Sequence, residues 1–440
     1  MFSNKQIWTI SYPIFLSLLA QNIINVTDTA FLGRVGEVEL GASALGGLFY
    51  ICCFTIAFGF SVGSQILIAR RNGERDYYQV GPVMIQGVYF LFTMAIVLFS
   101  AIRLFSTNIT QALISSDIIM EATVEFLDIR VFGFFFSFIN VMFRALYVGI
   151  TRTKVLTFNA ILMAITNIIL DYLLIFGHGG FPKMGLKGAA IASVAAEAIS
   201  ILFFVVYTRL TVDIRKYGLN QFTTFDIKLL KRILSISIFT MIQYFISMST
   251  FLLFFIAVER IGQRELAIAN IVRSIYIVLF MPVNSFATTT NSLVSNTIGG
   301  GHVEQVIPII RKIARLSFVA MALCAAIISV IPEYVISIYT NDPLLVAGSV
   351  PSVYVIAGAM LICAVGNIVF NGVSGTGNTR SALTIEFIIL IFYTIYIIII
   401  GMYLKMPVHI CFTSEIIYYG GLLALSAWYL KRGEWQNKKI

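Results

Sequence analysis

The sequence predicts an all-α polytopic membrane protein with twelve transmembrane helices in two six-helix bundles, which an internal parallel repeat relates. The prediction rests on composition, on a succession of apolar runs and on a self-match at one spacing. Of the 440 residues, 59% are hydrophobic and 12% are charged, and mean hydropathy is +0.91. Because a soluble domain carries roughly twice that share of charged residues, the chain is expected to reside in a bilayer.

The apolar runs give the number of spans. A helix needs about 20 mostly apolar residues to cross a bilayer. The first run is too long for a signal-peptide core and is counted as a span. Runs of this length occur at residues 7–32, 41–69, 81–105, 122–148, 155–177, 188–208, 230–257, 266–296, 308–331, 346–373, 381–403 and 406–430.

The basic residues predict the orientation. With the N-terminus inside, most of the 30 lysines and arginines fall on the inner side, including Arg70, Arg71, Lys231 and Arg232. We therefore expect a multi-pass protein of the bacterial inner (plasma) membrane with both termini in the cytoplasm. Attraction to anionic lipid of the inner leaflet accounts for the formal net charge of +9, so no nucleic-acid partner is expected.

The chain repeats itself at an offset of 226 residues. The segment "VGEVELGAS" matches "IGQRELAIA", and two further segments match in the same register. The glycine pairs that carry the three matches are Gly36 with Gly262, Gly73 with Gly299, and Gly149 with Gly375.

The repeat defines the predicted domains. An even number of helices gives both halves the same orientation, and such a parallel repeat is a transporter architecture in which one half rocks against the other around a central substrate. We expect an N-terminal bundle over 1–208, a charged cytoplasmic linker over 209–229 and a C-terminal bundle over 230–440.

Two aspartates lie within the spans of the first half. Asp28 in span 1 and Asp171 in span 5 are both roughly 8–9 Å from the outer helix end, at 1.5 Å per residue. Gln21 and Asn25 precede Asp28 on one helical face, and Asn167 precedes Asp171 by one turn. Carboxylates with amide partners at membrane depth favour a site that binds and releases H⁺ or Na⁺. The alternative is local bonding to helix backbone.

The repeat helps to decide between these readings. At the offset of 226, Asp28 corresponds to Phe254 and Asp171 to Ile397. A purely structural role would more often survive in both halves. The two aspartates are therefore expected to couple transport to a cation, with Na⁺ at Asp28, Asn167 and Asp171 as one of the two possibilities.

Three further acidic residues lie within spans. Glu197 and Glu415 each lie about ten residues into the last span of their half, so a structural role in both halves is expected. Glu386 is nearer the inner end of span 11. A snorkelling or local role is expected for it.

Other residues complete the predicted site. Pro13 interrupts the hydrogen bonds of span 1 and marks either a static kink or a hinge. Arg273 is expected either to pair with Glu259 or Glu265 or to place a positive charge in the cavity. The polar residues predicted to line the substrate cavity are Gln21, Gln243, Asn270, Arg273, Asn367 and Asn371.

Four segments resemble one known family. "NVTDTAFLGRVGEVELGASALG", "LDIRVFGFFFSF", "ALYVGITRTK" and "NIILDYLLIFGHGGFPKMGLKGAAIAS" resemble multidrug and toxic compound extrusion (MATE) transporters, most closely the DinF-like branch. The resemblance implies that Asp28, Asn167 and Asp171 form the cation-coupling site, with the hydroxyl of Ser193 as a further member. It also implies a protonation-dependent bend at Pro13. We add Asn25 as a neighbouring amide.

The resemblance also implies a function. We expect an antiporter that exports amphipathic drugs or toxic organic compounds by alternating access, driven by H⁺ or Na⁺ entry. The sodium-driven NorM-like branch carries acidic residues in spans 7 and 10. Here "FTMIQYFISMSTF" and "CAVGNIVFNGVSG" have none, which leaves coupling to the first half.

Two other function classes fit the sequence less well. A flippase for a lipid-linked precursor, from the same broad superfamily, is the alternative, but it would need a cationic cavity. The spans hold no nucleophile–base pair, metal cluster or phosphate-binding loop, so an enzyme is not expected. We expect a monomer without a cofactor. Its expected partners are small amphipathic substrates and the lipid bilayer.

Overall fold

The computed structural model describes residues 2–113, 116–220 and 225–437. Within these ranges the chain is built of helices and short connections. The α-helices are α1 Asn4–Val35, α2 Glu37–Gly73, α3 Val80–Leu113, α4 Asp117–Arg130, α5 Gly133–Gly149, α6 Lys154–Phe176, α7 Leu186–Thr211, α8 Ile227–Glu259, α9 Gln263–Gly299, α10 Val306–Val330, α11 Pro332–Ser337, α12 Pro343–Gly375, α13 Thr379–Ile397, α14 Val408–Cys411 and α15 Ser414–Arg432.

The described helices account for the predicted spans. Eleven are long and apolar enough to cross a membrane, and α4 with α5 forms a pair bent by 54° that supplies the twelfth when it is counted as one span. The sequence predicted one uninterrupted run at 122–148. In the structure the helix breaks at Val131 and Phe132, just before Gly133. The prediction of twelve spans in an all-α membrane protein is confirmed.

Helix boundaries reproduce the internal repeat. Helices α2 and α9 are both 37 residues long, and their first residues, Glu37 and Gln263, stand at the predicted offset. Each is preceded by a glycine of extended backbone conformation. Short 3₁₀ turns follow them at Tyr77–Gln79 and Val303–Gln305, again in register. The two halves therefore share an architecture, as the sequence predicted.

The described helices form two compact units. One unit comprises Tyr12–Met241, and the other comprises the residues up to Ser11 together with those from Ile242 onward. This division falls inside α1 and inside α8, whereas the sequence placed it in the linker 209–229. The division into 1–208 and 230–440 stays a prediction. Residues 221–224 of that linker lie outside the described residues, as do Lys438 and Lys439.

Each unit has its own packing. In Tyr12–Met241, α6 packs on α7, and α2 packs on α4 and α5. In the other unit α12 lies at the centre and packs on α9, α10 and α15. Its core contains fully buried residues such as Val258, Met360 and Ile397. Lipid provides no hydrophobic driving force for the association of helices. Close packing of side chains, including small residues, therefore stabilises each unit internally.

Candidate cation-coupling site

Two helices of the Tyr12–Met241 unit carry the predicted carboxylates. Asp28 lies on α1, and Asp171 lies on α6. Gly177, which directly follows the last residue of α6, has a left-handed backbone conformation. Helix α7 packs closely on α6 because Gly188 has no side chain. A Cβ on Gly188 would lie 2.7 Å from the backbone carbonyl carbon of Leu174. This close approach fixes the outer part of α6, where Asp171 is placed.

The structure brings Asp28, Asn167 and Asp171 together. Asn167 and Asp171 are fully buried, and Asp28 is partly buried. With its amide nitrogen facing the carboxylates, Asn167 donates to Asp28 Oδ1 at 2.9 Å and to Asp171 Oδ2 at 3.2 Å. The two carboxyl groups also lie within hydrogen-bonding reach of each other. A single amide therefore bridges two acidic groups from different helices.

This geometry determines the chemistry of the site. Two carboxylates in contact repel each other, so the arrangement is stable when a proton or another cation lies between them. Asp171 Oδ1 is buried and has no hydrogen-bond partner within the described ranges. It is therefore an open acceptor for a proton or a small cation. A hard cation such as Na⁺ would take oxygen ligands from Asp28 and Asp171, together with the Asn167 amide oxygen after rotation of the amide.

A second contact joins the same two helices near the predicted hinge. The hydroxyl group of Thr157 on α6 donates to the backbone carbonyl of Pro13 on α1 at 2.9 Å. Thr157 lies 14 residues before Asp171, and Pro13 lies 15 residues before Asp28. Since a helix rises 1.5 Å per residue, the two contacts are about 21 Å apart along a parallel helix pair. Sequence reasoning missed Thr157, although this matched spacing was a signal for it.

A partly buried ion pair lies beside the carboxyl pair. Arg130 donates to both oxygens of Glu197, at 2.7 and 3.1 Å, and its guanidinium group lies 3.7 Å from the centre of the Tyr50 ring. Its positive charge also acts on Asp28. A side chain on Gly133 would collide with Arg130 and Glu197. Glu197 therefore has a charged partner, which the sequence did not identify.

Three predicted site residues of this unit form no hydrogen bond with the side chain of Asp28 or Asp171 within the described residues. Gln21 and Asn25 are exposed on α1. Ser193 on α7 is partly exposed, and within the described residues it donates to neither Asp28 nor Asp171. The roles given to these three side chains stay predictions.

Of the two alternatives expected for Arg273, the pairing with Glu259 or Glu265 is wrong, and the placement of its charge in the cavity stays a prediction. Within the part of the chain that the structure describes, Arg273 forms no ion pair with Glu259 or Glu265. Its guanidinium carbon lies 5.3 Å from the centre of the Phe255 ring instead, and its buried Nε has no hydrogen-bond partner among the described residues. Asn270, one turn earlier, is exposed and donates to its own helix at Leu266. The positive charge of Arg273 is therefore not neutralised by either glutamate.

Two asparagines of α12 bond mainly to each other. Asn371 donates to the backbone oxygen of Asn367 at 2.9 Å and to its side-chain oxygen at 3.1 Å. Both are partly buried. Gln243 on α8 lies beside Glu386 rather than standing alone. The assignment of all three residues to a substrate cavity stays a prediction.

Of the snorkelling or local role expected for Glu386, the snorkelling role is wrong. Its residue is 2% exposed, and it accepts hydrogen bonds from Ser247 on α8 and from Tyr418 on α15. The periodicity of α13 gave only the depth of Glu386 and not the side chains that neighbouring helices present to it. Glu415 is also buried, and it accepts from Tyr393 at 3.1 Å and from Tyr276 at 3.4 Å.

A duplicated bundle of membrane-spanning helices with carboxyl groups paired at membrane depth defines the class: a polytopic transporter. Comparison with known families agrees. The MatE family model matches residues 13–173 and 237–400. The two matched segments begin 224 residues apart and end 227 residues apart, close to the offset of the internal repeat. The chain belongs to the MatE family, and it is a transporter rather than an enzyme.

Curated relatives cover most of the chain. A protein described as probable multidrug resistance protein NorM from Agrobacterium fabrum is 27% identical over 371 residues, which are 80% of this chain and 77% of the relative. The protein of the same description from Thermotoga maritima is 25% identical over 387 residues, covering 88% of this chain and 82% of the relative.

Solved structures share the fold. A transporter of the MOP superfamily from Pyrococcus furiosus, whose binding pocket is described as having reverse polarity, aligns with a TM-score of 0.88 at 18% identity. The alignment covers 99% of this chain and 97% of that one. A eukaryotic MATE transporter aligns with a TM-score of 0.85 at 15% identity, covering 98% and 96%. At these identities the likeness concerns the fold alone.

Proposed function

We propose that this protein is a cation-coupled antiporter that exports amphipathic drugs or toxic organic compounds by alternating access between its two helical halves. The coupling ion, H⁺ or Na⁺, binds at Asp28, Asn167 and Asp171. The observation that carries the proposal is the Asn167 amide, which joins two acidic groups from different helices.

The proposed coupling follows from electrostatics. When a cation arrives from outside, it removes the repulsion between Asp28 and Asp171, and the two helices are stabilised in their close arrangement. When the cation leaves toward the cytoplasm, the repulsion returns and favours separation of α1 from α6. The link between Thr157 and Pro13 is positioned to pass this change to the hinge. Net movement requires that the ion bind one state more tightly than the other.

The relatives support drugs as the substrate class, since both are described as probable multidrug resistance proteins. They support this more than the lipid-linked precursor of the alternative function. Their bacterial sources also agree with the inner (plasma) membrane. The orientation with both termini inside places the carboxyl pair toward the outer end of its helices, where an entering ion would reach it.

The first prediction concerns the carboxyl pair. In vesicles that contain purified protein, Asp28→Asn and Asp171→Asn should each abolish ethidium or norfloxacin movement driven by an imposed gradient. Either change leaves one carboxyl group, which no longer repels a charged neighbour and so loses the drive for ion-dependent rearrangement. Asp128→Asn is the matched control, because Asp128 forms only an exposed ion pair with Arg103 at 2.9 Å. It should transport as the unaltered protein does.

The same assay distinguishes the two ions. A pH gradient without sodium and a sodium gradient at uniform pH are imposed in turn, and drug movement is recorded under each. The gradient that drives transport identifies the coupling ion. Gradient-driven transport by both aspartate variants at the unaltered rate would contradict the proposed site.

A further inference from the structure

Among the residues that the structure describes, Glu386 is a buried acid with no positively charged partner. It lies on α13 and is 2% exposed, whereas the partly buried Glu197 forms an ion pair with Arg130 at 2.7 Å. An isolated carboxylate in an apolar interior is strongly disfavoured unless a charge or a proton compensates it. The side chains around Glu386 must therefore account for the stability of its buried carboxyl group.

The two oxygens of Glu386 have different surroundings. Oε1 accepts from the hydroxyl groups of Ser247 and of Tyr418, the latter at 2.8 Å. Oε2 is buried and has no hydrogen-bond partner within the described residues. Gln243 lies beside the carboxyl group, and its Oε1 is likewise buried without a partner. Oε2 is therefore the oxygen of Glu386 that is free to carry a proton.

The groups that face Glu386 are neutral hydroxyl and amide groups. They are Ser247 and Gln243 from α8 and Tyr418 from α15. Across the Tyr418 ring lies Glu415, which is bonded to Tyr393 and Tyr276. Cys363 of helix α12 lies near Glu415. None of these described side chains supplies a positive charge.

We propose that Glu386 is a second proton-binding site, in the unit that contains the residues from Ile242 onward, and that Oε2 is the oxygen that takes up the proton. The proposal rests on the proposed antiport function and adds to it a proton-binding site in the second half. The proton comes from water on one side of the membrane and returns to water on the other. No other bond is made or broken.

A proton suits this geometry better than a metal ion does. Ser247 and Tyr418 direct their hydrogen atoms at Oε1, so their hydroxyls are used as donors. A bound cation needs several lone pairs directed at one point. The acid of the second half is supplied by span 11, which is why the absence of acidic residues from spans 7 and 10 did not reveal it.

Infrared difference spectroscopy tests the site directly. The full-length protein, reconstituted in lipid vesicles, is shifted between acid and neutral pH, and the carbonyl band of protonated carboxyl groups is recorded. In a background of Asp28→Asn with Asp171→Asn, a pH-dependent carboxyl band should remain, and adding Glu386→Gln should remove a large part of it. An unchanged band after Glu386→Gln would overturn the proposal. A band that responds to sodium instead of pH would also overturn it.

Stoichiometry gives the second measurement. Protons moved per drug molecule should fall by one in Glu386→Gln, which mimics the protonated acid, while drug still moves. An unchanged ratio would contradict the second site. Failure of the proposed function would give a different result in the transport assay. Asp28→Asn and Asp171→Asn would then keep gradient-driven transport, regardless of the infrared carboxyl band assigned to Glu386.

A serine pair on α8 provides the matched control. Ser247→Ala removes a donor from the charged form of Glu386 and should shift the midpoint of proton uptake to higher pH. Ser249→Ala, two residues further, removes a hydroxyl that bonds only to the backbone of Phe245 at 2.9 Å and should not shift it. Equal midpoints of proton uptake in the two serine variants would contradict the assignment. This comparison can be made even if Glu386→Gln fails to fold.

Discussion

Thr157 is the residue that connects the proposed ion site with the proposed hinge. Its hydroxyl group bonds to the carbonyl of Pro13, and its helix carries Asn167 and Asp171 about 15–21 Å further along. Proline leaves a helix with one hydrogen bond fewer and allows it to bend. A donor from a neighbouring helix at this position stabilises one geometry of α1 over another.

The prediction for this residue is a change in the balance of states. Thr157→Val keeps the shape of the side chain but removes the donor, which should cost about 1 kcal/mol in the state that contains the bond, or roughly a fivefold change in its population. The measurement is the ion concentration that gives half-maximal transport in vesicles. Thr29→Val is the control, since that hydroxyl bonds only to Asn25 of its own helix. Equal values in both variants would exclude a role for the link.

The sequence revealed some residues of the site and not others. The one-turn spacing of Asn167 and Asp171, and the matching depth of Asp28, follow from helix periodicity, which indicated which side chains could meet. Arg130 was not identified, because sequence spacing does not show which distant helix supplies a partner. Glu386 was misread for the same reason. Its depth suggested a route to the surface, but α8 and α15 cover it.

At the scale of the elements, the α6–α7 packing positions the acidic helix. Gly188 allows the α7 backbone to approach Leu174 and Ile175 so closely that a methyl group would lie within 3 Å of three backbone atoms. Backbone atoms cannot turn aside as a flexible side chain can. This contact lies less than one turn beyond Asp171, so a displacement of α7 would move the carboxyl pair.

Gly188→Ala is therefore predicted to destabilise the protein by about 1–3 kcal/mol, the usual cost of overpacking. The fall is measured as a lower Tm of the purified protein in detergent. Gly47→Ala on α2 is the matched control, because a Cβ there meets no atom within 4 Å. Replacing that helical glycine should raise stability by about 0.5–1 kcal/mol. A similar Tm in the two variants would contradict the close contact.

The elements were mostly predictable from the sequence. Apolar runs gave the number of spans, and the glycine matches correctly aligned α2 with α9. The break between α4 and α5 was missed, because the run from 122 to 148 is mostly apolar on both sides of the break and hydropathy does not register a bend. Gly133, at the start of α5, was the local sign of it. Its lack of a side chain leaves room for Arg130 and Glu197.

At the scale of the whole molecule, the proposed direction of export depends on orientation. The charge distribution predicts that the loop at Lys183 is outside and that the segment at Lys228 is inside. Both lysines are exposed, whereas the five native cysteines are buried or partly buried.

Single cysteines test this orientation. In a variant without the native cysteines, Lys183→Cys should react with a membrane-impermeant maleimide added to intact cells, and Lys228→Cys should react only after the membrane is opened. The reverse pattern would show that the carboxyl pair faces the cytoplasmic end, and the proposed route of ion entry would fail. Labelling of both cysteines in intact cells would indicate leaky cells, which a cytoplasmic marker enzyme detects.

The repeat has a consequence for how this protein can be engineered. The counterparts of Asp28 and Asp171 are Phe254 and Ile397, which are 2% and 0% exposed. The same place in the two halves is therefore occupied by acidic side chains in one copy and by buried apolar side chains in the other. The scaffold thus tolerates either solution, so loss of the aspartates should yield an inactive but intact molecule, and that makes such variants informative.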